Sequence, residues 1–240
     1  MENNLKNEFM RTFHILSYSH NKWDVWNDFI YMSACSFANV FDKKNYAKRE
    51  EEYLRIIKKY NKNEQKLFPK LLAKVVNALE ENTNQDFLGS VYMNLDLGNK
   101  SAGQYFTPYD VSLFMAKLSL GNVVEEAKKK NYISINDCAC GAGALLISGI
   151  NEAKEQLSKA GMNYQNHVFV VGQDIDQTAA LMCYIQITLL GVAGFVKVGD
   201  SLANPIDEND TYENYWFTPM YFNELWQVRN LLNKLKRSEE

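Results

Sequence analysis

The chain has 240 residues, of which 46% are hydrophobic and 23% charged, enough for one good core or two small domains. Its formal net charge is −3 and its pI is near 5.7, which excludes a generally basic, nucleic-acid-binding surface and leaves that role to a local patch or a partner. The N-terminus is polar, with no signal peptide and no run of membrane-spanning length, so a cytoplasmic protein with no membrane contact is expected.

Residues 1–100 read as helices. Trp23, Trp26, Phe29, Ile30, Ser33, Phe37 and Val40 recur at three- and four-residue spacing, the pattern of a buried helix face. Lys43 to Tyr60 reads as a charged amphipathic helix with Tyr53, Leu54, Ile57 and Tyr60 inward. Its interleaved Glu50, Glu51 and Glu52 favour a solvated face over a phosphate-binding one. Pro69 suits the first turn of the helix leading to Leu79, and Asn82 to Gln85 is a polar break. Gly103 to Pro108 then forms a turn. Thr107 is placed to cap a helix whose face carries Val111, Phe114, Met115 and Leu118.

From Ile133 the pattern changes to alternation. Ile133 and Ile135 define a strand closed by Asp137, and Gly141 and Gly143 open a loop into the apolar run Ala144 to Ile147. Strand, acidic residue, Gly-x-Gly and helix make the build of a nucleotide pocket, because glycine lets backbone approach a ligand. His167 to Val171 reads as a second strand leading to Asp174, the position at which a carboxylate holds a ribose hydroxyl pair. Ala179 to Leu190 has helical spacing, and Phe195 to Val198 gives a third strand ending at Asp200. Three acidic residues thus fall at one edge of an implied parallel sheet, where such sheets bind ligands. Cys35, Cys138, Cys140 and Cys183 contain no Cys-x-x-Cys pair, and His14, His20 and His167 form no ligand pattern. Reduced thiols and no metal are expected.

Together, Gly103-Gln104-Tyr105-Phe106-Thr107-Pro108, the Asp137 to Gly143 loop, Gly172-Gln173-Asp174 and Gly199-Asp200-Ser201-Leu202 resemble the N6-adenine DNA methyltransferases of restriction–modification systems. They resemble especially the modification subunit of type I systems. Asp86-Phe87-Leu88-Gly89 with Tyr92 resembles the helical lead-in of that family, and the resemblance covers roughly residues 80–222. It implies an α/β protein: a helical region (1–100), a partial Rossmann-like, class I methyltransferase parallel sheet (101–222) and a C-terminal helix or tail (223–240). It also implies S-adenosyl-L-methionine as cofactor. Tyr105, Phe106 and Thr107 would then lie at the methionine end and Asp137 at the amino group, beside Ala139, Gly141 and Gly143 of the loop. Asp174 would hold the ribose hydroxyls and Asp200 the adenine amine, with Ile175 and Leu202 completing the set.

The family's catalytic run is Asn or Asp, Pro-Pro, then Tyr or Phe, after the fourth strand. Here Pro69, Pro108, Pro205 and Pro219 are never adjacent. The best positional match is Thr218-Pro219-Met220-Tyr221 behind Tyr215-Trp216-Phe217, a degenerate corner in which Thr218 replaces the amide and Tyr221 keeps a ring. The implied sheet ends near its fourth strand, so a tail, another copy or a partner chain is expected to cover its edge. Two functions follow: a methylase acting on adenine in DNA with the help of a partner chain, or a non-catalytic cofactor-binding or assembly module of a restriction–modification or mobile-element system. Contact with DNA is implied by the resemblance alone.

Overall fold

The computed structural model describes residues 2–97, 106–207 and 210–237, in which helices lead into a four-stranded sheet. The helical part comprises α1 (Glu2–Leu16), α2 (Lys22–Phe41), α3 (Tyr46–Ile57), α4 (Lys62–Gln65), α5 (Leu67–Glu81) and α6 (Phe87–Asn94). Asn21 caps α2 by accepting from the Trp23 and Asp24 backbone N–H groups, which have no partner inside the helix. Helix α2 buries Trp26, Phe29, Ile30 and Ser33 as its spacing predicts, but the ends of the stripe are open, with Trp23 44% and Val40 59% exposed. Phe9 of α1 meets Trp26, Phe29 and Phe87 edge-on at 6.1, 5.5 and 5.9 Å, which joins α1, α2 and α6 into one aromatic cluster.

Helices α7 (Tyr109–Ser119) and α8 (Val123–Lys130) pack on α9 (Ala144–Lys159), the helix that follows β1 (Ile133–Asp137). Strand β2 (Val168–Asp174) lies parallel to β1, and β3 (Ala193–Val198) lies parallel to β2 beyond α10 (Gln177–Leu189). Ile135, opposite Val170, meets Gly149 of α9, and Val168, Val170 and Val196 are fully buried on that face. The expected face of α7 exists but points outward. Helix α7 buries only Ser112 and Ala116, leaving Phe114 64% and Leu118 70% exposed. Thr107 does not cap α7, which starts after Pro108 without a side-chain cap bond. No described helix is long and apolar enough to cross a membrane.

Tyr215–Phe217 forms the fourth strand, β4, but antiparallel to β3 and on its outer edge, so the order is β1-β2-β3-β4. A doubly wound sheet places its next parallel strand beside β1 instead. The cause lies in the helical part. Arg49 of α3, only 3% exposed, donates to Asp42 at 2.8 Å and to the Tyr215 carbonyl at 2.7 Å, and its guanidinium lies 4.1 Å from the Trp216 ring centroid. Trp216 also meets Tyr31 of α2 and Tyr184 of α10, while Lys44 and Asn45 donate to the Thr211 and Tyr212 carbonyls. These contacts hold the segment at the β3 edge. Arg49→Met should therefore cost about 3–5 kcal/mol, because it leaves the buried Asp42 carboxylate without its counter-charge and a strand carbonyl without its donor. Chemical denaturation would measure the loss.

The opposite face of the sheet carries Phe169, Phe195 and Phe217, all half-buried. Helix α11 (Glu224–Arg237) covers part of it through Trp226, which donates to the Gln165 carbonyl at 2.9 Å and packs on Phe169 and Tyr132.

Candidate cofactor pocket

At the carboxyl ends of β1 and β2 the loop after Asp137 is tied down by its own backbone. Asp137 Oδ1 accepts from Ala139, the Cys140 N–H donates to the Gln173 carbonyl at 2.9 Å, and Gly143 donates back to Cys140. Gly141 donates to Asp174 Oδ2 at 2.7 Å, so the two expected ligand positions are physically joined. Gly143 has φ near +100°, and a Cβ there would sit 2.9 Å from the Cys183 Sγ of α10, so this position requires glycine twice over. The ring of Phe106 lies over Gly141, and a Cβ on that glycine would meet it at 3.1 Å. The resulting cavity, about 200 Å³, is lined by Phe106, Thr107, Asp137, Ala139, Gly141 and Asp174, among others.

The carboxylates are poised differently. Asp137 Oδ2 is buried with no hydrogen-bond partner, and burial pushes its carboxyl above the usual range, with the nearby Asp174 adding to the rise. Burial raises Asp174 as well, although its oxygens accept from Gly141 and Asp176. Asp200 accepts from Leu202 and Ala203 through Oδ1 alone. Ile175 and Leu202, at the ends of β2 and β3, are 71% and 93% exposed, two large apolar side chains standing in solvent beside acidic neighbours. Behind the loop, the hydrogen bond with Cys183, then burial, pushes the Cys140 thiol well up, so it stays protonated.

The structure therefore brings together Phe106, Thr107, Asp137, Ala139, Gly141 and Asp174 around one cavity, with Gly143 at the base of the loop. Ile175, Asp200 and Leu202 stand at the same edge of the sheet. Gly103, Gln104 and Tyr105 lie outside the described residues. The Thr218 to Tyr221 corner is not at this edge, which corrects the positional match. Thr218 is fully buried at the opposite end of β3, where its hydroxyl donates to Val192 O and accepts from Gly194 N. Pro219 starts the short 3-10 turn that follows, and Tyr221 packs on Phe217 and on Phe169 near the start of β2. Gln186, of which the sequence gives little sign, and Asp86 of the Asp86 to Gly89 run hold the loop. Buried Gln186 of α10 donates to Ala142 O at 2.9 Å and to Asp86 at 2.7 Å, and accepts from Leu88 N. Asp86 caps α6 through the Gly89 N–H, and a Cβ on Gly89 would lie 2.0 Å from that carboxylate.

A three-stranded parallel unit with a glycine loop and acidic residues at its carboxyl edge defines a nucleotide-cofactor protein of the doubly wound class. The chain belongs to the N-6 DNA methylase family, whose family model matches residues 83–239. The methylase subunit of the type I restriction enzyme MpnII of Mycoplasma pneumoniae is 30% identical over 104 residues, which is 43% of this chain and 16% of that subunit. A Listeria monocytogenes protein (lmo1582) assigned as a class I S-adenosylmethionine-dependent methyltransferase shares 18% identity, with 95% of this chain and 69% of that one covered at a TM-score of 0.47. The type I restriction–modification methyltransferase subunit of Streptococcus thermophilus shares 13%, with 88% and 61% covered at 0.45.

S-adenosyl-L-methionine is the methyl donor of this family, and the donor set of the pocket suits it: the buried Asp137 Oδ2 lacks a donor of the kind an ammonium supplies. Gln186→Leu should cost at least about 2 kcal/mol and weaken cofactor binding roughly tenfold, because it leaves Asp86, Ala142 O and Leu88 N unpaired at the base of the loop. Thr218→Val should cost about 1–3 kcal/mol and leave cofactor affinity unchanged. Denaturation and calorimetry on both variants separate the two roles.

Proposed function

We propose that this chain binds S-adenosylmethionine in the Asp137–Asp174 pocket and serves N6-methylation of adenine in DNA together with a partner polypeptide. When bound, the cofactor supplies a sulfonium methyl group for the adenine amine. The chain's own residues orient it. Asp137 Oδ2 would accept from the amino-acid ammonium, Asp174 from the ribose hydroxyls and Asp200 from the exocyclic amine of the cofactor. Ile175 and Leu202 would pack on its ring, and Phe106 and Thr107 would hold the methionine end, a role the family resemblance extends to Tyr105. The observation that carries the reading is the unpaired, buried Asp137 oxygen beside the Phe106–Gly141 contact.

Support for a partner comes from β1, which stands as an edge strand among the described residues. An amine acceptor has to be held at the carboxyl edge of the sheet to align its lone pair with the methyl group. The relative named as a type I methylase subunit supports a multisubunit setting. The placement of Thr218 and Tyr221 at the far end of the sheet favours a second reading, a cofactor-binding or assembly module without catalysis of its own.

Calorimetric titration with S-adenosylmethionine comes first. Asp174→Ala and Asp200→Ala should each weaken binding at least about tenfold, the loss expected for one charge-assisted contact. No heat with the unaltered chain would sink the cofactor reading. Methyl incorporation into adenine-containing DNA only when the type I partner subunits are added supports the first function. Its absence across partners, with binding intact, supports the second.

The raised Asp137 and Asp174 carboxyls also set a pH dependence. Without cofactor, their contribution to stability is fully present below the ordinary carboxylate range and is lost as pH rises through the raised values. Binding an ammonium requires the ionised form, so cofactor affinity should rise with pH across that window, and Asp137→Asn should flatten the rise. A calorimetric pH series reads both.

A further inference from the structure

Strand β3 carries a single charged side chain, Lys197, and the fold buries it to 2% exposure. A buried ammonium is costly unless its donors find acceptors and its charge a partner. Here Nζ donates to Asn204 Oδ1 at 3.1 Å, to the Pro205 carbonyl at 2.8 Å and to Asp210 Oδ2 at 2.6 Å. The Tyr215 hydroxyl of β4 donates to the same Asp210 oxygen. All three donors of Lys197 are taken up inside the protein, which leaves none for a ligand.

Two of those contacts fall on the turn that follows β3. Asn204 is gripped three times: its N–H donates to the Asp200 carbonyl at 2.8 Å, its carbonyl accepts from Gln173 Nε2 at 2.8 Å, and its Oδ1 accepts from Lys197. Gln173, 1% exposed at the end of β2, also donates to the Gly199 carbonyl at 3.2 Å. The turn is thus pinned where it leaves β3 and again where it closes. Asp200 and Leu202 ride on it. Asp200 Oδ1 accepts from the Leu202 and Ala203 N–H groups, and Oδ2 accepts no hydrogen bond among the described residues. Leu202, Ala203, Asn204 and Pro205 are exposed, so polar contacts rather than apolar packing hold this turn in place.

We infer that Lys197 is a positioning residue, which through Asn204 fixes the stance of the Asp200 carboxylate and makes the pocket select adenine over an oxo-purine. This rests on the reading of Asp200 as the partner of the cofactor's exocyclic amine. An amine donates to a carboxylate, whereas the 6-oxo group of hypoxanthine accepts only and opposes it. Selection of that kind needs the carboxylate held by supporting hydrogen bonds, because a loose turn lets it swing to water.

Calorimetric titrations with S-adenosylmethionine and with S-inosylmethionine, in which oxygen replaces the 6-amino group, provide the test. The unaltered chain should prefer the adenine compound at least about tenfold, the discrimination one charge-assisted contact provides. Asn204→Ala and Lys197→Met should each lower the preference to that of Asp200→Ala. Asn204→Asp keeps an oxygen for the ammonium and should retain it. Asn204 is exposed, so its two variants decide the matter even where Lys197→Met fails to fold. Added to Asp200→Ala, Asn204→Ala should change the preference no further, since it acts through that carboxylate. A preference that the unaltered chain lacks, or that survives in Asn204→Ala, overturns the inference and leaves the cofactor reading standing. So does an Asn204→Asp variant as unselective as Asn204→Ala. Failure of the unaltered chain to bind either compound overturns both.

Discussion

One buried side chain sets the relation between the helical part and the pocket. The carboxamide of Gln186 donates to Asp86 and to Ala142 O and accepts from Leu88 N, all out of contact with water. A carboxamide has two donors and an acceptor, and here each finds a partner, two at the start of α6 and one in the glycine loop. Partly satisfied networks of this kind are costly, so the three partners stay together or the arrangement fails. The glycine loop is therefore fixed from below by α10 and α6. Its own glycines allow its shape, and Gln186 decides its position.

The strand–loop–helix unit around Asp137 and the carboxylate of Asp174 were legible because they depend on local rules. Alternation, a glycine turn and an apolar helix start all lie within a dozen residues, and the observed β1, β2 and β3 follow them. What the sequence concealed depends on distant contacts. Arg49 reads as one more charge on a solvated helix, yet it is buried against Trp216, far along the chain. Gln186 reads as a polar interruption of an apolar helix. The aromatic run at Tyr215 signals a strand, but nothing local says that its neighbour is β3 or that it runs antiparallel. The face of α7 has the right period and the wrong side: small residues took the packed position and large ones were left in solvent.

These two outcomes share a geometry. Placing β4 outside β3 leaves β1 as the other edge strand, with Ser134 and Asn136 exposed along it. Helix α7 packs on α9, the helix that covers β1, and its outward apolar face is likewise unpartnered among the described residues. An exposed strand edge and an apolar helix face are features that proteins ordinarily cover.

The match to the family begins at residue 83, while the buried core runs without interruption from Phe9 to Trp216. The matched segment and the folded unit therefore have different boundaries. The α2–α3 corner grips β4 through Arg49, Asn45 and Lys44, so an insertion in those helices would be felt at the sheet's edge. Substitutions on either side of residue 83 have to be accepted in concert. A lineage could not exchange its helical leader for another without also rewriting the aromatic segment around Trp216.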